Sequence, residues 1–213
     1  MTETSTTPIR YDLAIIESWI TPGSKVLGLG CGDGDLLYAL KTKKSVSERG
    51  VELSEKKTAI CLSKGLSVVQ GDIYEEITDY PDKFFDYVIL SQTMQEVYQP
   101  YDLMIAMLRI GKRVIVSFPN FGHWRIRLQL LLTGKAPVTE HLPYTWYSTP
   151  NIRVLTLNDF RQFSKEVGFT ISKEININTH SQDMSGKTIN FLPNLRSTYG
   201  VYMIKEAGNN AGK

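Results

Sequence analysis

The chain has 213 residues, of which 42% are hydrophobic and 22% charged, and its formal net charge at pH 7 is +2. This length suits one domain with a sizeable core, and the near balance of charge argues against a strongly basic surface for nucleic acid or an anionic membrane. No run approaches the ~18 apolar residues that span a bilayer, and the Thr-rich start lacks the basic and apolar regions of a signal peptide. We therefore expect a cytoplasmic protein that binds neither nucleic acid nor membrane.

Strands and helices are predicted to alternate along most of the chain. Apolar, β-branched runs indicate strands, and apolar residues spaced three or four apart indicate helices. The predicted strands cover 25–30, 48–53, 66–70, 85–91, 113–118, 169–177 and 199–204. The predicted helices cover 10–20, 34–42, 55–64, a segment ending at Gly111, 125–132 and 157–167. Such alternation is typical of a parallel sheet with helices on both faces, whose ligands bind outside the carboxyl ends of the strands.

Residues 119–153 interrupt this alternation, because they contain four prolines and a cluster of aromatic side chains. The polar loop around Gly186 and Asn190 has the composition of a disordered segment, and the tail after residue 205 is predicted to be mobile. We interpret residues 1–213 as one domain that carries an aromatic and Pro-rich insertion at 119–153.

A glycine-dense turn follows the first predicted strand. Gly30, Gly32 and Gly34 occupy alternate positions, and a helix is predicted directly after them. Glycine permits backbone angles that side chains forbid, and it lets a ligand approach the main chain closely. The start of the next helix offers unpaired N–H groups to a polar or anionic ligand. The turn therefore favours a nucleotide-type site.

The two cysteines have no spacing that predicts a disulfide framework or a zinc site, and we expect no bound metal. Cys31 lies inside the glycine turn, where it is best interpreted as a small filler. A catalytic thiol is the alternative, but the sequence shows no neighbouring base for Cys31.

Two carboxylates lie at or just after the ends of the next two predicted strands. Glu52 comes 22 residues after Gly30, and an acid at that place can accept hydrogen bonds from both hydroxyls of a ribose. Asp72 follows the third strand, where a carboxylate can accept from an adenine amino group. Either acid alone is equally an ordinary loop or helix-cap residue. The glycine turn and both acids in this order favour a nucleoside site.

This order of motifs resembles the class I S-adenosylmethionine-dependent methyltransferases. The resemblance implies an α/β, Rossmann-like fold with a seven-stranded, mostly parallel sheet, helices on both faces and an antiparallel last strand. It also implies that the first turn binds the methionine part of S-adenosyl-L-methionine, that the acid after the second strand binds its ribose, and that S-adenosyl-L-homocysteine is the product. The cofactor-binding residues that it implies are Gly28, Leu29, Gly30, Cys31, Gly32, Gly34, Glu52, Leu53, Asp72, Ile73 and Ser91.

Three segments carry a closer resemblance, to the methionine biosynthesis protein W (MetW) family. They are Ser-Gln-Thr-Met-Gln at 91–95, Ser-Phe-Pro-Asn-Phe-Gly-His-Trp at 117–124 and Leu-Pro-Tyr-Thr-Trp-Tyr-Ser-Thr-Pro-Asn-Ile at 142–152. The resemblance covers roughly residues 10–170. It implies a bacterial protein of the methionine pathway that works beside a homoserine O-acyltransferase, MetX. A small-molecule substrate and a homodimer are also compatible with it.

One position departs from the family pattern, because Gly28 stands where relatives usually have an aspartate at the end of the first strand. That aspartate orients the turn and interacts with the charged methionine end of the cofactor. Losing a charge-assisted hydrogen bond costs about 1.5–3 kcal/mol, or about tenfold to a hundredfold in affinity. We expect weaker cofactor binding than in relatives, since Asp33 lies beyond the turn and is poorly placed to substitute.

Methyl transfer to a hydroxyl or an amine needs a base, and the candidates near the crevice are Gln95, Glu96 and His123. His123 follows the fifth strand and is the catalytic candidate. The alternative is that His123 only orders its own aromatic loop.

The aromatic side chains of the insertion have three open interpretations. Trp124, Tyr144, Trp146 and Tyr147 fill a small core, line a substrate pocket or form a partner surface. Two functions likewise stay open. One is a methyltransferase whose small-molecule acceptor is unknown, and the other is a non-catalytic, S-adenosylmethionine-binding subunit that regulates MetX.

Overall fold

One mixed sheet, with helices between its strands, organises residues 9–140, 142–179 and 183–207, which are the residues that the computed structural model describes. The strands are β1 Lys25–Leu29, β2 Ser47–Glu52, β3 Val68–Gln70, β4 Phe85–Ser91, β5 Gly111–Pro119, β6 Phe169–Asn178, β7 Lys187–Thr188 and β8 Tyr199–Glu206. The helices are α1 Tyr11–Trp19, α2 Asp35–Lys44, α3 Glu55–Ser63, α4 Ile73–Glu76, α5 Pro100–Ile110, α6 Trp124–Thr133, α7 Leu157–Val167 and α8 Pro193–Arg196.

The strand order is β3-β2-β1-β4-β5-β8-β6-β7. Strands β1 to β5 pair in parallel, whereas β8 runs antiparallel to both β5 and β6. The prediction of an α/β, Rossmann-like, mostly parallel sheet with an antiparallel last strand is confirmed. The order reverses at β1, so that β2 and β4 leave a crevice between their carboxyl-terminal loops.

The predicted number of strands is wrong, because the described part of the chain contains eight strands rather than seven. The additional strand, β7, pairs only Thr188 with Ile177 and Lys187 with Asn178. Two polar residues carry no alternation that a sequence pattern can detect. β7 lies in the loop that was expected to be disordered, where residues 183–190 have defined positions. Residues 180–182 and the tail from 208 onward lie outside the described residues.

Helices cover both faces of the sheet, because successive side chains of each central strand enter different cores. Leu27 and Leu29 of β1 join a core with α5 and α7, while Val26 joins a second core with α1 and α2. The same alternation runs through β4, β5 and β8. Burial on both faces explains the nearly continuous apolar sequence of these strands.

Local sequence explains where the helices begin and end. Ser54 caps α3 by accepting from the Lys57 amide, and Thr156 forms a reciprocal capping box with Asp159 at the start of α7. Gly168 ends α7 with a φ of 83°, a left-handed conformation that glycine adopts without strain. The short helices α4 and α8 were not predicted, because four residues carry too little periodicity.

Candidate functional site

A cleft of about 730 Å³ lies at the carboxyl ends of the parallel strands. It extends from the loop after β3, across the ends of β2, β1 and β4, to Pro119 and to the start of β8. Ten of the eleven predicted cofactor-binding residues line it, and they are Gly28, Leu29, Gly30, Cys31, Gly32, Glu52, Leu53, Asp72, Ile73 and Ser91. Segments that are far apart in sequence therefore meet along one crevice, as parallel-sheet geometry requires.

The glycine turn forms the floor of the cleft. Gly30 and Gly32 both have a φ of 60°, which L side chains rarely adopt. A Cβ at Gly30 would lie 2.9 Å from Thr93 Oγ1, so the close approach of two loops also demands glycine there. Gly34 is different, because it lies outside the cleft lining. A Cβ at Gly34 would lie 2.5 Å from Leu66 Cδ1 and 2.8 Å from Cys61 Sγ, so glycine here lets the start of α2 lie close to α3 and to the chain before β3.

Glu52 connects the glycine turn to the end of β2. Its Oε2 accepts a hydrogen bond of 2.8 Å from the Gly32 amide, and its Oε1 accepts one of 3.0 Å from the Ser54 amide. The residue is only 8% exposed, yet it borders the cleft. Each carboxylate oxygen has two acceptor positions, so one on each oxygen stays available beyond these two bonds. The carboxylate is fixed in place and can still accept a pair of vicinal hydroxyls.

The wall beyond Glu52 combines apolar and acidic side chains. Leu53 is 69% exposed at the cleft, an unusual setting for a leucine of its size, and half-buried Ile73 also lines the cleft. Asp72 Oδ1 accepts a 2.7 Å hydrogen bond from the Tyr74 amide, so this acid caps α4. The helix-cap interpretation of Asp72 therefore holds, and it leaves Oδ2 to face the cleft. A flat heterocycle with exocyclic donors suits this wall.

The loop after β4 forms the opposite wall. Ser91 Oγ lies 3.0 Å from Ser117 Oγ, and Gln92 adopts a positive φ of 53°. Gln95 Nε2 donates to the Gln92 carbonyl, while Gln95 Oε1 is buried without a hydrogen-bond partner among the described residues. The Gln95 carbonyl accepts from the amides of both Ile152 and Arg153, at 2.9 and 3.0 Å. This residue thus links the cleft wall to the end of the 119–153 segment.

Glu96 is the acid of the cleft with a shifted pKa. Desolvation raises the pKa of its carboxyl, and the nearby charge of Glu52 adds to that shift, while Lys57 opposes it. Glu96 and Lys57 both line the cleft, near its Glu52 end. A carboxyl with a raised pKa inside a cleft is suited to proton transfer.

The carboxyl-terminal part of β1 carries no acidic side chain at the cleft, because residue 28 is glycine. A Cβ at Gly28 would lie 3.3 Å from Leu37 Cδ2 and 3.4 Å from Cys31 Cβ, so a side chain here would press on Leu37. Burial raises the pKa of the Cys31 thiol, with Cys61 and Glu52 adding to the effect. Cys31 therefore stays protonated at neutral pH, as expected for a filler and not for a nucleophile.

His123 lies outside the cleft. It is 3% exposed and caps α6, where its Nδ1 accepts from the Arg125 amide at 3.3 Å. It borders a separate cavity of about 190 Å³ together with Trp124 and Glu140. Burial lowers the pKa of this histidine, and Arg125 lowers it further. The placement agrees with the interpretation that His123 orders its own loop, and it separates the ring from the cleft.

Asn120 is the physical reason for that separation. Its side chain is fully buried, and its Nδ2 donates to the carbonyls of Asn194 and Ser197, both at 2.9 Å. Its Oδ1 accepts from the Gly122 amide at 2.9 Å. These bonds tie the chain directly after Pro119 to α8 and to the residue that follows it, and His123 then borders the separate cavity and not the cleft.

The aromatic side chains of the insertion divide between the cleft and the surface. Tyr144 lines the cleft, whereas Trp146 and Tyr147 are 76% and 74% exposed. Packing into a small core is therefore not the role of Trp146 or Tyr147. Helix α6 adds an exposed apolar face formed by Trp124, Leu128, Leu131 and Leu132.

Sequence reasoning did not assign Arg10, Lys57 or Tyr199 to the cleft that they line. Arg10 precedes β1 by 15 residues, and Tyr199 opens the last strand of the sheet. Only the strand order brings them to the glycine turn, and no local pattern could have assigned them to it.

Two further findings concern residues 9–140, 142–179 and 183–207. Within these ranges no helix has the length and apolar character needed to cross a membrane. The same ranges bring together no group of three His, Cys, Asp or Glu side chains that could hold a metal ion.

Comparison with known proteins identifies sequence and fold relatives. Residues 10–204 match the family described as methionine biosynthesis protein MetW. The chain is 33% identical over 176 residues to the bifunctional methionine biosynthesis protein MetXA/MetW of Rhodopirellula baltica. That alignment covers 78% of this chain and 28% of the relative, so the chain spans less than a third of the curated protein that it matches.

Solved structures show the same fold at low sequence identity. A methyltransferase from Thermotoga maritima, described as S-adenosylmethionine-dependent and a possible histamine N-methyltransferase, has a TM-score of 0.66 at 20% identity and covers 92% of this chain and 87% of its own. Magnesium protoporphyrin IX methyltransferase from Synechocystis, solved with bound S-adenosylhomocysteine, has a TM-score of 0.61 at 16% identity, with 92% and 82% covered. These similarities establish the methyltransferase-like fold.

Proposed function

The chain belongs to the MetW family of methionine biosynthesis, and from this membership we propose that its cleft binds S-adenosylmethionine. One observation carries the proposal. Glu52 Oε2 accepts from the Gly32 amide at 2.8 Å, which joins the acid after β2 to the glycine turn within one cleft. Backbone amides and a fixed carboxylate are the groups that this fold uses for a nucleoside.

The residues fit the ligand from end to end. Glu52 accepts the two ribose hydroxyls, Leu53 and Ile73 flank the adenine, and Asp72 accepts from its amino group. The glycine turn leaves room for the sulfonium and the methionine chain to lie against the backbone. Apolar walls around a few fixed polar groups are typical of small-molecule sites of about 300–1,000 Å³, and the cleft of about 730 Å³ falls in that range.

Isothermal titration with S-adenosylmethionine tests this proposal. The wild-type chain binds the ligand, and Glu52→Gln binds it more weakly, because an amide nitrogen cannot accept a ribose hydroxyl. Glu17→Gln is the control, since Glu17 belongs to α1 outside the cleft lining. Absence of binding by the wild type, or equal affinity in Glu52→Gln, contradicts the proposal.

We further propose that the protein acts beside a homoserine O-acyltransferase. The Rhodopirellula relative is named MetXA/MetW, which supports a close association of the two activities. The exposed apolar face of α6 suits protein contact, because Leu131 and Leu132 are 81% and 73% exposed. In this role the bound ligand regulates the acyltransferase, and no methyl group is transferred.

The acyltransferase association is tested by co-purification and by acyltransferase assays with and without S-adenosylmethionine. Leu131→Asp removes an exposed apolar side chain from α6 and is expected to weaken the association. Leu62→Asp is the matched control, because Leu62 is 55% exposed on α3. Equal association by both variants would show that α6 is not the contact surface.

Methyl transfer to a small molecule is the second candidate function, and Glu96 is the observation that favours it. Its carboxyl borders the cleft and has a raised pKa, so it can accept a proton from an acceptor hydroxyl or amine. Glu96→Gln should then abolish turnover while S-adenosylmethionine still binds. Turnover that survives in Glu96→Gln would remove this residue from the mechanism.

A further inference from the structure

The N-terminal end of α1 forms the polar wall of the cleft on the side away from Glu52. Arg10, which directly precedes α1, lines the cleft together with Leu13 and Tyr199. In the sheet, β2 and β3 lie on one side of β1, and β4, β5 and β8 lie on the other. Arg10 and Lys57 are the cations among the described residues that line the cleft, and Lys57 is on the β2 side, in α3.

An ion pair with a buried carboxylate fixes the Arg10 guanidinium. Its Nε donates to Asp12 Oδ1 at 3.1 Å, and its Nη2 donates to Asp12 Oδ2 at 3.0 Å. Asp12 is only 2% exposed, and its Oδ2 also accepts from Gln92 Nε2 at 2.8 Å. This two-point geometry holds the guanidinium plane in one orientation. The second terminal nitrogen, Nη1, takes no part in the pair, and within residues 9–140, 142–179 and 183–207 it has no hydrogen-bond partner, so it can donate to a ligand in the cleft.

Apolar side chains line the cleft near Arg10. Gly28 removes the acid that relatives usually carry at the end of β1, and Leu13, Leu37 and Ile89 line the same end of the cleft. A ligand with its ribose on Glu52 and its base beyond β2 extends its other end across β1 toward β4. There it meets a fixed cation instead of an aspartate.

We propose that Arg10, positioned by Asp12 and Gln92, binds the carboxylate of the amino-acid end of the ligand. The inference rests on the proposed binding of S-adenosylmethionine and specifies which end of that ligand the site selects. An aspartate at the end of β1 would favour the ammonium group, whereas Arg10 favours the carboxylate. The site therefore discriminates adenosyl thioethers that carry a carboxylate from those that lack one.

Calorimetric titration with two probes tests this specificity. S-adenosylhomocysteine has the amino-acid end, and 5′-methylthioadenosine is the same nucleoside thioether without it. The variant is Arg10→Met with Asp12→Asn, because the introduced asparagine keeps an acceptor for Gln92 and leaves no buried charge unpaired. We expect S-adenosylhomocysteine to bind about tenfold to a hundredfold more weakly to the double variant, while the affinity for methylthioadenosine is unchanged.

The controls separate this inference from the function on which it rests. Arg196→Met removes an exposed arginine outside the cleft lining and should change neither affinity. Arg10→Lys should give an intermediate loss, since lysine keeps the charge but not the two-point geometry. Equal loss for both probes, no loss for either, or a wild type that binds both equally overturns the role of Arg10 alone. A wild type that binds neither probe overturns the proposed function as well.

Discussion

The two ends of the cleft are built by different means. The end over β2 and β3 consists of a glycine turn and Glu52, which lie close in sequence and whose hydrogen bond is local to two neighbouring strands. The end over β4 consists of Arg10, Asp12 and Gln92, which join residues 80 positions apart. The first end is the one that the sequence motifs predict. The second has a glycine, Gly28, at its β1 border and a cation, Arg10, directly before α1.

Under the proposed function, the two ends of the cleft contact different parts of the ligand, the ribose at Glu52 and the amino-acid end at Arg10. The two ends should therefore respond differently to substitution. A change at Glu52 should weaken every adenosyl ligand, whereas a change at Arg10 should weaken only ligands with a carboxylate.

The largest effect is expected from Glu52→Ala. The substitution removes two acceptors for ribose hydroxyls, each worth about 1.5–3 kcal/mol, so affinity for S-adenosylhomocysteine and methylthioadenosine should fall at least about a hundredfold. It also leaves the Gly32 and Ser54 amides without their acceptor, which should lower the free energy of unfolding by about 1–3 kcal/mol. Calorimetry and urea unfolding measure the two effects. A loss confined to one probe would contradict the ribose assignment.

Substitution of Gly30 tests the close approach of the turn to the loop after β4. Gly30→Ala requires a left-handed alanine, at about 1–2 kcal/mol, and places a Cβ 2.9 Å from Thr93 Oγ1. Gly23→Ala is the matched control, because Gly23 has a φ of 74° and open space around it. Urea unfolding should show a larger loss of stability for Gly30→Ala, and titration should show weaker binding only there. Equal losses of stability in the two variants would mean that Thr93 moves away from the added Cβ at no energetic cost.

A smaller effect is expected at the adenine wall. Asp72→Asn keeps an oxygen that can accept from the Tyr74 amide and so preserves the cap of α4. It removes one acceptor facing the cleft, and a neutral hydrogen bond is worth about 0.5–1.5 kcal/mol, so affinity should fall about twofold to tenfold. The loss should be the same for both probes. A larger loss of affinity than in Glu52→Ala would indicate that Asp72, and not Glu52, binds the ribose.

The smallest effect on binding is expected from His123→Asn, which keeps a side-chain acceptor at the start of α6. Both probes should bind as they do to the wild type. Burial lowers the pKa of His123 in the folded state, so the unfolded chain binds the proton more readily and stability falls as the pH drops below about 6.5. Urea unfolding at pH 7 and pH 5 should show a smaller decrease for His123→Asn. An unchanged decrease would assign the pH dependence to other groups.

Much of the fold could be predicted because its signals are local. The β4 sequence is nearly all apolar, and the strand is buried on both faces, so one segment reveals both its type and its place in the sheet. The glycine turn and Glu52 were recognised for the same reason, since each directly follows a strand. β7 was not predicted, because Lys187 and Thr188 show no alternation of apolar and polar residues and their pairing depends only on the position of β6.

The positions of the other site residues could not be predicted from the neighbouring sequence. His123 follows β5 in sequence, but buried hydrogen bonds from Asn120 redirect the chain before the histidine is reached. Arg10 precedes all the strands, and it reaches the cleft because α1, which follows it, packs against α2 and β8. A local sequence motif cannot predict where a residue lies when its position depends on contacts with residues distant in sequence.

The backbone carbonyl of Gln95 couples the loop after β4 to the end of the 119–153 segment. Because one oxygen accepts the amides of Ile152 and Arg153, the far end of the 119–153 segment cannot shift unless both bonds break or the loop after β4 moves with it. That loop also holds Gln92, which is bonded to Asp12 in α1. The Tyr98 carbonyl of the same loop also accepts from Arg153 Nη2. A displacement of the segment that carries Trp146 and Tyr147 is therefore coupled, through the loop after β4 and Gln92, to Asp12 in α1.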